Sequence, residues 1–403
     1  MPRVVSVLHH PIPPLRPGRL AEEDGLGWHF RSARALAKYG GYEAIAVRPG
    51  INRESTIKVI DDVTVVLTPS INLSPSRRIW KWSHVSTALA EFVRDAVKRG
   101  FLPYIHEYRA LNSELVIRKI IDYPMILQHH GSFPPSGFNL KNPLSFAKEF
   151  SKWRRDNYLR KVRGVFFVLH NREKYYLEKI LNVDAKVVIR TMAVEFDELK
   201  PLNEGERANV RRGIGISEDA IMLITYVGVF GEEVGGIKGA QYLLRIWREL
   251  RLRFGGKIMM VVTGIGEPYI TALRKAGVIA YKLLPRKDYL KLVAASDIYF
   301  LPATSGYLYG GSGAVAIMET MAMGIPIVSP TLRDFPEQDR VKDLGIMTRY
   351  VDNEETLREF IDALTYAIEN RNQYKPWVIR ELARKYYSWE SFVNEFNIAL
   401  KNL

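Results

Sequence analysis

Residues 310–330 read GGSGAVAIMETMAMGIPIVSP, a glycine-rich turn running into an apolar segment that holds one acid. Gly310, Gly311 and Gly313 lack a Cβ, so their backbone can pass close to a ligand. From Ala314 to Met323 only Glu319 and Thr320 are polar. The spacing predicts a helix buried nearly all round, with its free N-terminal N–H groups pointing out of the loop. Those donors and the helix dipole make a seat for an anion, most often a phosphate. Gly324 ends the helix, Pro326 prevents its continuation, and Ile325 to Val328 reads as the next buried strand. The unit is helix then strand, in an α/β sheet.

The same grammar extends upstream. Ile221 to Val227 reads as a strand, the loop GVFGEEVGGIKG follows, and Ala240 to Leu252 reads as a helix. Lys238 stands between loop glycines at a helix start, placed either to meet a phosphate as a point charge or simply to face solvent. Lys257 to Val262 is a strand ending in Thr263-Gly264-Ile265-Gly266. Gly277 to Ala280 is a short strand, Arg286 to Ser296 a helix, and Asp297 to Leu301 a strand leading into the quoted stretch. Downstream, Thr356 to Asn370 is a helix. Lys375 to Leu403 holds two more, parted near Ser388, the last with an apolar stripe of Trp389, Phe392, Val393 and Phe396.

The first half repeats the pattern. Val4 to Leu8 is an apolar strand, Gly25 and Gly27 precede a helix from Trp28 to Tyr39, and Tyr42 to Val47 is the next strand. Gly-Leu-Gly there is either a tight turn or a loop at the carboxyl edge of the sheet, where open α/β sheets bind ligands. Val63 to Leu67 is a strand and Ser83 to Arg99 a helix. Strands at Tyr104-Ile105 and at Met125 to Gln128 end in His106-Glu107 and His129-His130. These histidines are either hydrogen-bonded neighbours of the sheet or groups that move a proton or hold a sugar hydroxyl. Val165 to Leu169 and Val187 to Ile189 are further strands. The charged, apolar-poor segment from Glu195 to Arg212 looks like a domain linker.

At 403 residues with 47% hydrophobic content, the chain can bury a large core, and two domains are expected. No run of about 18 apolar residues and no signal peptide is present, which fits a soluble, cytoplasmic protein. With no cysteine, the chain has no disulfide, thiolate nucleophile or zinc-thiolate site. Of the net charge of +14, +12 falls in residues 1–200, so the first half needs an acidic partner. The segment 141–163 has eight Lys or Arg against two acids, interleaved with Phe146, Phe150, Trp153, Tyr158 and Leu159. That is the pattern of a helix lying on an anionic membrane face, and equally of a solvated helix packed on its own domain.

Taken together, these features resemble the family 4 glycosyltransferases of the GT-B fold. The resemblance rests on Val227-Gly228, Lys238-Gly239, Gly264-Ile265-Gly266, Phe300-Leu301-Pro302 and the run from Glu319 to Ile327. The segment Met192 to Pro201 and Ser388-Trp389-Glu390 add to it. It implies two Rossmann-like, doubly wound parallel-sheet domains facing each other across a cleft. Residues 1–200 would bind the acceptor, 201–384 would bind a nucleotide sugar, and the last helix, 385–403, would pack back on the first domain. It further implies transfer of a sugar from a nucleoside diphosphate to an acidic, lipid-linked or glycan acceptor with retained configuration. No cofactor beyond the donor substrate is implied.

In catalysis, Glu319 would hold the ribose hydroxyls, Lys238 would stabilise the diphosphate leaving group, and His130 would contact the transferred sugar. Gly27, Gly228, Gly264, Leu284, Arg286, Gly311, Ser312, Gly313, Ala314 and Val315 would complete the nucleotide-sugar site. His106, His129 and Glu195 would meet the acceptor. Two family positions differ: a sugar-binding glutamate is Gly311 here, and a diphosphate arginine is Val229, for which Arg286 or Lys287 is the candidate replacement. The chain contains no Asp-x-Asp, so no metal is expected. The rival readings are a nucleotide-sugar epimerase on the same scaffold and a nucleic-acid or glycan binding protein that lost the chemistry; nucleic acid ranks behind the sugar donor.

Overall fold

A computed structural model of the chain describes residues 1–11, 27–51, 53–74, 83–130, 143–191, 193–228, 236–310 and 315–401. They form two compact units, one made of the segments up to residue 191 with Trp389 onward, the other of Ala193–Ser388.

In the first unit the strands are β1 (Arg3–Val7), β2 (Glu43–Pro49), β3 (Thr56–Ile60), β4 (Val63–Thr68), β5 (Ile71–Asn72), β6 (His84–Val85), β7 (Leu102–His106), β8 (Met125–Gln128), β9 (Gly164–Val168) and β10 (Lys186–Ile189). Eight of them build one sheet in the order β10-β9-β8-β7-β1-β2-β4-β3. Every neighbouring pair is parallel except β3–β4. The central strands are buried on both faces, which is why they read as unbroken apolar runs. The edge strand β3 is the exception, with Ile57 and Val59 exposed. Ser86 caps the helix Thr87–Lys98 by accepting from the Leu89 N–H at 3.0 Å. That helix is shorter than the expected Ser83 to Arg99, because His84 and Val85 are drawn into an antiparallel pair with β5. The helix Trp389–Leu400 lies in this unit. Its Phe396 meets Tyr104 edge-on at 5.3 Å, and Tyr42 donates to its Asn397 at 2.5 Å.

The second unit holds β11 (Ile221–Tyr226), β12 (Ile258–Thr263), β13 (Ile279–Ala280), β14 (Ile298–Phe300), β15 (Ile327–Ser329) and β16 (Gly345–Met347), all parallel, in the order β13-β12-β11-β14-β15-β16. The units part near residues 192 and 388, not at 200 and 384. The Val194 N–H donates to the Tyr387 carbonyl at 2.8 Å, and Val194 bridges Ser388. Phe196 and Leu199 sit in the second core, and Arg380 donates to both of their carbonyls. The expected linker is therefore structured. Its second half is the helix Glu204–Gly213, closed by a reciprocal cap in which Asn203 and Glu206 each accept the other's backbone N–H.

The basic segment forms the helix Pro143–Asp156 and a 3₁₀ turn, Asn157–Lys161. Phe150 is exposed, whereas Trp153 packs against the core and Tyr158 and Leu159 are buried in it. Asp156 points inward and accepts from Arg109 and from the Tyr176 hydroxyl, both at 3.0 Å. Among the described residues no helix is long and apolar enough to cross a membrane.

Candidate functional site

In the second unit the candidate residues gather at the carboxyl ends of the strands. β11 ends at Tyr226, and Gly228 follows with φ 88°. Gly264, after β12, has φ 67° and binds the Lys282 carbonyl through its N–H at 2.9 Å. A Cβ there would stand 2.6 Å from the Tyr226 ring and 2.9 Å from the Gly228 nitrogen, so only glycine fits.

Lys238 precedes Gly239, whose φ of 80° and closeness to the Pro302 carbonyl again require glycine. Its ammonium lies 4.6 Å from the centre of the Tyr226 ring and 5.8 Å from that of Tyr307. No carboxylate among the described residues forms an ion pair with it, and burial lowers its pKa to about 8. Aromatic faces stabilise a cation without neutralising it, so the lysine keeps its charge available for an anion.

The helix Val315–Ala322 is buried as expected, with every residue from Ile317 onward inaccessible. Glu319 is 3% exposed and forms an ion pair with Arg286, the first residue of the helix Arg286–Ala295. Apolar neighbours force this carboxylate to find a charged or hydrogen-bonding partner, and sequence reading did not reveal which. The Ala322 carbonyl at the helix end accepts from Arg380. Gly324 then turns the chain at φ 76°, tight against Pro376. Leu284 and Val315 are partly buried against the core. Gly311, Ser312, Gly313, Ala314 and Val229 lie outside the described residues. Glu195 is partly buried, at the first turn of the segment that enters this unit.

In the first unit Gly27 caps the helix Trp28–Gly40 with φ 83°. His106 ends β7, and His129 and His130 follow β8. His106 Nδ1 and His130 Nε2 are 2.7 Å apart, with the rings stacked at 5.0 Å. The Trp28 ring lies 6.4 Å from that of His130, nearly parallel. Burial, then the charge of His129, pulls His130 down to about 3, and burial also holds His106 far below the usual histidine range. Both rings are neutral at pH 7.

His129 behaves in the opposite way. Burial opposes its charge, yet Glu173 at 2.8 Å and Glu107 at 3.7 Å raise its pKa above the usual value. Glu173 is correspondingly lowered, because His129 outweighs its burial; Tyr108 and Arg109 also donate to it. Arg109 continues to Asp156. The pair of expected acceptor contacts is corrected here. His106 is 0% and His129 1% exposed, so neither ring is open to an acceptor. Only His130 of the three is partly exposed. Glu107, at φ 54°, ties the group together by accepting the His130 N–H at 3.1 Å. Glu173, Arg109 and Asp156 went unnoticed in sequence because isolated charged residues on helices and turns ordinarily face water.

Residues 222–370 match the sequence model of a family described as glycosyl transferases group 1. No curated protein sequence matches the chain. Its fold is similar to that of sucrose-phosphate synthase from Thermosynechococcus elongatus, with a TM-score of 0.69 at 13% identity, covering 100% of this chain and 99% of that one. A glycosyltransferase from Rickettsia africae gives 0.65 at 13% identity, covering 100% and 99%. Anabaena HepE in complex with UDP-glucose gives 0.60 at 12%, covering 100% of both. The fold is of the GT-B class, built on two α/β units with parallel sheets.

Proposed function

We propose that this protein is a glycosyltransferase that moves a hexose from a nucleoside-diphosphate sugar to an acceptor, with retained configuration and without a metal. The observation that carries this reading is the group 1 match. It spans residues 222–370 and so takes in Gly228, Lys238, Gly264, Arg286 and Glu319. Those residues have the chemistry the reaction needs. Lys238, desolvated and held by aromatic faces, offsets the charge that develops on a diphosphate leaving group. Glu319 accepts from two ribose hydroxyls once Arg286 yields it, and the guanidinium turns to phosphate where relatives have an arginine at the position of Val229.

The acceptor binds through residues 1–200, whose excess of basic residues favours an acidic, lipid-linked or glycan acceptor. The protein works in the cytoplasm, with the helix Pro143–Asp156 resting on an anionic membrane face. Exposed Phe150 beside Arg154 supports that contact. No cofactor other than the donor is required, and the absence of an Asp-x-Asp in the sequence favours a metal-free reaction.

The test is a calorimetric panel of UDP-, GDP- and ADP-sugars, beginning with UDP-glucose because HepE holds it, followed by transfer assays with and without a chelator. Binding of one nucleotide sugar and chelator-insensitive transfer are expected. Conversion of the sugar without any acceptor would favour the epimerase reading. Tight, steeply salt-dependent binding to oligonucleotides with no nucleotide-sugar affinity would favour the nucleic-acid reading.

A further inference from the structure

We propose that the Tyr289 hydroxyl takes hold of the Glu319 carboxylate when Arg286 leaves it, and so fixes that carboxylate for the ribose of a nucleotide. The departure of Arg286 on donor binding rests on the glycosyl-transfer reading; the pairing of Tyr289 with Glu319 stands on the second unit alone.

Tyr289 lies one turn after Arg286 in the helix Arg286–Ala295. Residues three apart share a helix face, and from that face Arg286 reaches Glu319 on the helix Val315–Ala322. The two helices pack together, so the Tyr289 side chain lies on the side of the ion pair. Its ring is 5.3 Å from that of Tyr226, whose face also supports the Lys238 ammonium at 4.6 Å. Tyr289 therefore borders both groups assigned to the donor.

The tyrosine is 9% exposed, and among the described residues its hydroxyl has no hydrogen-bond partner. A buried hydroxyl in that condition is costly and calls for a role. Burial, then the neighbouring Tyr299 and Glu319, raises its pKa well above the usual value, while Arg286 opposes them. The phenol thus lies within electrostatic reach of Glu319 and keeps its proton at neutral pH, ready to donate. A carboxylate only accepts, and it offers about four lone-pair positions. Two go to the ribose hydroxyls once the guanidinium has turned to phosphate, and a third remains for a donor from the protein. Tyr289 is the buried donor on the very helix whose arginine has moved away. A phenol has few torsions to restrain, so its bond sets the plane of the carboxylate without neutralising it. Tyr289 is a positioning residue that acts through Glu319.

The experiment places Tyr289→Phe in two backgrounds, the unmodified chain and Arg286→Met, and follows denaturant unfolding without ligand. In the unmodified chain the hydroxyl has no bond to lose, so the unfolding midpoint should stay level or rise. In Arg286→Met the hydroxyl already holds Glu319, so the same replacement should lower the midpoint. A lower midpoint in the unmodified chain would show a different resting partner, and none in Arg286→Met would show that the hydroxyl does not reach Glu319; either overturns the pairing. In calorimetric titration, Tyr289→Phe should weaken UDP-glucose about tenfold to a hundredfold, the loss of one hydrogen bond to a charged group. UDP should weaken equally, because the contact acts at the ribose. Unchanged affinity, or a loss confined to UDP-glucose, overturns the positioning role. If no UDP-, GDP- or ADP-sugar binds the unmodified chain, the transfer reading fails and the positioning role falls with it, while the two midpoints still decide the pairing.

Discussion

The two units treat charge in opposite ways. In the first, His129, Glu173, Arg109 and Asp156 are buried and answer one another. In the second, Lys238 is desolvated between tyrosine faces, and Glu319 forms an ion pair with Arg286. A closed network holds strand ends in one arrangement, and breaking it leaves uncompensated buried charge. A cation supported only by aromatic rings contributes little to folding and much to an anion that arrives later. The difference assigns rigidity to one unit and electrostatic work to the other.

The largest effect should come from breaking the closed network. Replacement Glu173→Ala leaves His129 and Arg109 short of a carboxylate and should cost roughly 3–5 kcal/mol of stability, read by denaturant unfolding. The pair also makes stability depend on pH. His129, with its pKa raised, contributes fully below about 6.5 and loses that contribution as pH rises through its folded value. Glu173, lowered, contributes above about 4.5 and loses it as pH falls. The pair's contribution should therefore peak between those values, and Glu173→Ala should flatten the profile.

Lys238→Met should do the reverse. Stability at pH 7 should hold or rise, because a desolvated ammonium is removed, while kcat should fall roughly 10²–10³-fold, the typical loss of one charge-stabilising donor. In the unmodified protein, affinity for UDP-glucose should stay level up to about pH 8 and then weaken by up to about tenfold per unit as the free lysine loses its proton. A flat profile through pH 9 would break the contrast between the units.

Gly264→Ala should cost roughly 1–3 kcal/mol, from a left-handed backbone and a collision with the Tyr226 ring. Because that ring supports Lys238, donor affinity should fall with it. Smaller still is the membrane contact: Arg154→Ala with Arg155→Ala should reduce co-sedimentation with anionic vesicles by roughly 1 kcal/mol per residue. Sedimentation that does not change would confine the helix Pro143–Asp156 to packing on its own unit.

What the sequence made legible follows from periodicity and composition. The helix Val315–Ala322 was visible because it is apolar on every side, and its end because Gly324 and Pro326 mark it. Most of the parallel strands were visible as apolar runs, but the short β16 was not. The edge strand β3 and the pair β5–β6 were not, since they bury little and show no apolar run. Composition also misled at residues 195–212. Three apolar anchors, Val194, Phe196 and Leu199, suffice to dock that charged stretch, and the Asn203-x-x-Glu206 cap was the signal passed over. At the site, single residues such as Lys238 and Glu319 stood out, but their partners did not. Arg286 with Glu319, and Tyr226 with Lys238, are brought together only by folding. Likewise His106 and His129 were legible as strand-end histidines, while the side chains that turn them inward come from β1, from the helix Trp28–Gly40 and from the short helix Asn171–Tyr175 after β9.

The central claim is that the second unit binds a nucleotide sugar through the carboxylate of Glu319. Calorimetric titration of the UDP-, GDP- and ADP-sugar panel into the unmodified protein and the Glu319→Ala variant tests it most directly. Saturable binding of one donor that is abolished in the variant, with unfolding otherwise similar, is the predicted result. Equal affinity in the two proteins would contradict the account.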